Sequence, residues 1–133
     1  MRLKFAYSFV LLVILALGSS AVAQEGHPLT GTWYGDFGAT PTQRYDLTVV
    51  MTWDGKAVKG IINPGPDVVQ LRVGTLNSSN WSVHFEADAK NKAGGDDKFV
   101  FDGKIENVVA GNRTISGTYK CGTQTGTFRL RRD

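Results

Sequence analysis

Trp81-Ser-Val83-His-Phe85-Glu-Ala87-Asp88 puts every apolar side chain on one parity and every polar one on the other. Successive side chains of an extended chain point to opposite faces, so the segment reads as a half-buried strand. The same period recurs along the chain. Tyr45, Leu47, Val49, Met51 and Trp53 share a face ahead of an Asp54-Gly55 hairpin turn. Lys56 to Asn63 carries Val58, Gly60 and Ile62 in one phase and stops at Pro64-Gly65-Pro66-Asp67. Val68 to Leu76 follows, with Val69, Leu71 and Val73 inward, and then a turn over Asn77 to Asn80. Beyond a loop from Lys90 to Asp97, Phe99, Phe101, Gly103 and Ile105 fall in phase, and further strands run from Arg113 to Cys121 and from Thr125 to Arg132. No stretch repeats with the roughly 3.6-residue period of a helix. With an opening strand in the segment LTGTWYGDFG, residues 29–38, this makes eight strands at roughly 12-residue spacing. The fold class predicted is all-β: a single eight-stranded antiparallel up-and-down barrel.

A leader precedes it. Arg2 and Lys4 stand ahead of an apolar run from Phe9 to Leu17, and Ala21-Val22-Ala23 supplies small residues for cleavage. This is the three-part pattern of a signal peptide over residues 1–23, with the barrel domain over 24–133. The apolar run falls short of the about 20 residues that cross a bilayer, so the expectation is a secreted or periplasmic protein with no membrane contact after cleavage. Cleavage removes two of the 15 Lys and Arg and none of the 12 Asp and Glu, leaving 13 against 12 and a net charge of +1. Apart from the terminal Arg129, Arg131 and Arg132, no basic cluster remains, which argues against nucleic acid; that run reads as the solvated side of the last strand. Cys121 is the only cysteine, so the apolar core rather than a disulfide must carry the fold. Strand parity puts its thiol on the inner phase with Ile115 and Tyr119; a link between two copies is the other reading, and the oligomeric state stays open.

The segments GTWY (31–34), DGKAVKG (54–60) and NWSVHF (80–85) resemble, in the same order, the first strand, a hairpin and a later strand of avidins. The ISGTY and GTFRL segments near the end are similar to those of small lipocalin-like barrels of exported proteins. The resemblance implies a calycin-like barrel with Trp33 as the plug of one end, covered by an arginine of the last strand, for which Arg129, Arg131 and Arg132 are available. A large ring fills a barrel end while a guanidinium covers it with its charge in water. The resemblance does not extend to biotin: the positions where avidins place an Asn and a Ser on the ligand's ureido oxygen are Gly35 and Ala39.

Strand phase directs Phe37, Tyr45, Trp53, Trp81, Phe85, Phe99, Phe101 and Tyr119 inward as candidate ligand-binding residues, along with Met51 and Phe128. An eight-stranded barrel has room for side chains or for one small ligand. An apolar cavity of about 300 Å³ or more would mark a ligand cup; a filled interior would shift the function to the rim and loops. The expected function is therefore a secreted, non-catalytic binding protein that takes a small apolar or aromatic ligand, or alternatively a protein-interaction module such as an inhibitor. His84 beside Glu86 and Asp88 is the one catalytic-looking grouping, and on alternate positions of one strand it reads as solvated surface. No Ser-His-acid order, Cys-His pair or phosphate loop can be assembled, and nothing calls for a cofactor or a metal.

Overall fold

Each segment of alternating residues becomes a strand that buries one face. The computed structural model describes residues 27–132. The strands are β1 (Gly31–Gly38), β2 (Tyr45–Trp53), β3 (Val58–Ile62), β4 (Val69–Asn77), β5 (Ser82–Lys90), β6 (Asp96–Glu106), β7 (Thr114–Cys121) and β8 (Gln124–Arg131). Every strand pairs antiparallel with its neighbours in sequence, and β8 returns to β1 with Tyr34 opposite Arg131 and Phe37 opposite Phe128, closing the barrel. The all-β, eight-stranded, antiparallel up-and-down barrel is thus the architecture of the chain, compatible with a calycin-like fold. The leader expected over residues 1–23 lies outside the described residues.

The interior is layered by alternation. Leu47, Val49 and Met51 of β2, Val83, Phe85 and Ala87 of β5, and Phe128 and Leu130 of β8 are all buried. Phe101 sits at the centre, its ring stacked on Phe85 at 4.7 Å and edge-on to Phe128 at 5.2 Å. These offset and edge geometries are the favourable ones for aromatic pairs.

The alternation breaks in β4. Leu71 lies opposite Ala87, but the next pair is Val73 with Glu86, so one extra residue bulges from β4. A bulge shifts the phase of everything after it. Val69 and Leu71 pack on the core before it, Gly74 and Leu76 face inward after it, and Val73 is not among the core-packed residues, contrary to the expectation from unbroken alternation. The β5–β6 connection is also tighter than expected. β5 continues to Lys90 and β6 starts at Asp96, because the Asn91 side chain accepts hydrogen bonds from the amides of Ala93 and Gly95 and holds the turn.

Two glycines of the opening strand are required by close approach. Gly31 has φ 144°, and a Cβ there would press on the Arg132 side chain. A Cβ on Gly35 would collide with the backbone carbonyl of Arg129 on β8. Side chains at either position would prise β1 from the barrel end or from β8.

Candidate functional site

The two ends of the barrel differ. One is closed by the segment before β1. Leu29 and Trp33 are fully buried, and the Trp33 Nε1–H donates to the Leu29 carbonyl at 2.8 Å. Arg132 Nη1 donates to the Pro28 carbonyl at 2.8 Å, tying the chain after β8 to the chain before β1. Thr30 Oγ1 accepts from the Trp53 amide. The His27 ring lies 5.7 Å from Trp53 and 6.0 Å from Trp81, so this residue is part of the closure. Burial lowers its pKa, which suits a neutral ring against two indoles.

The other end is open. The C-terminal end of β1, the start of β2, the end of β3, the start of β4, the end of β5 and the start of β6 surround an almost wholly apolar cavity of about 130 Å³. Phe37, Leu47, Ile62, Val69, Phe99 and Phe101 form most of its wall, Ala87 and Ala89 make the room, and Asn63 stands at its edge. Phe37 is held edge-on by Tyr119 at 5.2 Å and by Phe99 at 5.9 Å. The volume is less than half of the about 300 Å³ expected of a small-molecule cup. The rest of the interior is filled with side chains, so one aromatic ring or a short alkyl chain is what fits; a dry apolar cavity of about 150 Å³ is enough for benzene.

Of the candidate ligand-binding residues, Phe37, Phe99 and Phe101 line this cavity. Phe85 and Tyr119 are buried in the layers that support it. Tyr45 is corrected: it shares the inward phase, but it begins β2 beyond the last core layer and is 58% exposed on the lip, its ring 5.6 Å from Phe37. Trp53 and Trp81 are corrected as well. Both are half-buried at the closed end, remote from the cavity, and Trp81 has φ 61° and forms the turn before β5 instead of opening the strand. Trp33 is the buried plug. Of the three arginines matched to it, Arg129 and Arg131 alternate with inward Phe128 and Leu130 and therefore point out to solvent; Arg132, past the strand, is the one that reaches the closed end. Sequence reading missed Leu47, Ile62, Asn63, Val69, Ala87 and Ala89 as cavity residues.

The outer face of β4, β5 and β6 carries a charge network. His84 Nδ1 lies 2.6 Å from Asp102 and Nε2 lies 2.7 Å from Glu86. Arg72 bridges Glu86 and Asp88, and Lys98 reaches Glu86 at 3.3 Å. The Asp102 hydrogen bond, followed by that to Glu86, raises the His84 pKa, while the His84 contact leads in holding Glu86 down at about 2. With both ring nitrogens committed as donors, His84 is an ion-pair partner held in place. Among the described residues, no group of three or more His, Cys, Asp and Glu is arranged to hold a metal ion.

Cys121 ends β7 opposite Phe99, half-buried beside the mouth, where burial raises its thiol pKa. Fold and site together define a small closed barrel, plugged at one end and holding one apolar cavity at the other. No protein-family model, curated protein or solved structure matches the chain.

Proposed function

We propose that this is an exported, non-catalytic binding protein of calycin-like type, whose open mouth takes one small apolar group. The observation that carries the reading is the cavity of about 130 Å³ bounded by Phe37, Phe99 and Phe101. The closed strand order and the Trp33 plug support the calycin-like part, and the leader pattern supports export. The group bound is a single aromatic ring or a short aliphatic tip, either free or as the end of a larger molecule whose remainder lies across Tyr45 and the mouth loops.

The test is a titration of the ¹⁵N-labelled protein with toluene, followed by amide resonances. Saturable shifts at about 1 mM toluene, confined to residues around Phe37, Val69 and Phe99, are expected. Ala89→Phe, which fills the cavity from the end of β5, should abolish them while the protein stays folded. Absence of saturable shifts at the mouth, or equal binding by the filled variant, overturns the proposal.

A further inference from the structure

Four arginines gather on the outside of the barrel near its closed end. Arg129 and Arg131 project outward from β8, Arg113 stands just before β7, and Arg132 follows β8, its amide bonded to the Arg113 carbonyl at 3.1 Å. With Tyr34, 53% exposed on β1 and directly opposite Arg131, they line an open groove of about 650 Å³. Lys104 extends the basic row, since it lies across Ser116 from Arg129 in the register. Asp36, the carboxylate opposite Arg129, is taken up by Arg44 at 2.7 Å. Glu106 is the one acidic residue on the groove wall, and among the described residues none of the four arginines forms an ion pair. Sequence shows only the Arg129–Arg132 run; the fold adds Arg113 and Tyr34.

We propose that this groove docks an extended acidic segment of a partner protein, independently of the mouth cavity. Arg129 and Arg131 are two strand positions apart, about 6.8 Å, which is the repeat of same-side carboxylates along an extended peptide. Each guanidinium offers a planar fork that pairs both oxygens of a carboxylate, and Arg and Tyr are the residues that most often anchor protein partners. β1, β7 and β8 are paired with neighbours on both sides where they form this groove, so recognition here runs through side chains. Burial lowers the Arg132 pKa and the nearby Arg113 charge adds to the effect; an anion in the groove offsets the second of these.

The test is fluorescence anisotropy of a labelled decapeptide of alternating Glu and Ser at about 50 mM salt, where exposed charges are weakly screened. A Gln-Ser peptide, a heparin-type sulfated octasaccharide and a short DNA duplex serve as comparison probes. The Glu-Ser peptide should bind, and binding should weaken at least about tenfold for the Gln-Ser peptide and for the Arg129→Ser/Arg131→Ser protein. Arg129→Lys/Arg131→Lys should fall between, because charge is kept and the fork is lost. Lys92→Ser, on the β5–β6 loop, should bind like the parent. The peptide pair reads the charge requirement on the unaltered protein, whatever the variants do to folding. Equal binding of the two peptides, or undiminished binding by the serine variant, overturns the proposal. So does tighter binding of the octasaccharide or the duplex, which would assign the groove to another polyanion. Self-association of the parent that the serine variant abolishes would assign it to a second copy of this chain and also overturns the proposal.

Discussion

Among the described residues, Trp33 is the largest fully buried side chain. It is fully buried, its indole N–H is satisfied by Leu29, and the segment it anchors closes one end of the barrel. Trp33→Ala should cost about 3–5 kcal/mol, a large part of the about 5–15 kcal/mol that stabilises a small domain, and chemical denaturation followed by circular dichroism measures it. A loss below about 1 kcal/mol would remove Trp33 as the plug. Gly35 matters in the opposite sense. No side chain fits there against the Arg129 carbonyl, so the position that the sequence resemblance matches to a ligand-binding Asn of avidins cannot carry one here. Gly35 and Ala39 offer no side-chain hydrogen bond, so biotin should bind at least about 10² to 10⁴ weaker than to an avidin. Calorimetry with biotin checks this, and a Kd within about 10²-fold of an avidin's would contradict it. Cys121 is half-buried with a raised pKa, so iodoacetamide should label it far more slowly in the native protein at neutral pH than in denaturant; equal rates would place the thiol in solvent.

At the scale of elements, the outer face of β5 and β6 ties stability to pH. The folded His84 pKa lies above 6.5, so its contribution is complete below pH 6.5 and is lost as pH rises through the raised folded value. Glu86, held at about 2 against an ordinary 4.5, contributes above pH 4.5 and loses its contribution as pH falls toward 2. Melting temperature should therefore plateau between these limits, and His84→Ala should flatten the alkaline decline; an unchanged decline in the variant would show that His84 does not cause it. The number, order and inward phase of the strands were legible because each strand repeats with period two and is bounded by strong turn residues. The β4 bulge was not, since two-against-one pairing depends on the partner strand. Parity also says which face a side chain takes but not how far along the barrel axis it sits. Tyr45, Trp53 and Trp81 were accordingly placed inside when they occupy opposite ends. Arg129 and Arg131 were readable as outward from the same alternation that buries Phe128 and Leu130; Arg132 was one of three arginines available for the closed end, and alternation could not single it out because it follows the strand.

For the barrel as a whole, closure of β8 on β1 divides the surface into a mouth, a plugged end and a charged wall. The cavity was illegible in sequence because it is the small remainder of a packed interior, set by how Phe37, Phe85, Phe101, Tyr119 and Phe128 interlock and by the short side chains of Ala87 and Ala89. That remainder is the basis of the functional proposal, so the most direct test is a crystal of the barrel pressurised with xenon, which enters dry apolar cavities. The account predicts one dominant xenon site at the mouth, in contact with Phe37, Val69 and Phe99. A mouth without xenon, or a stronger site elsewhere in the barrel, would contradict it.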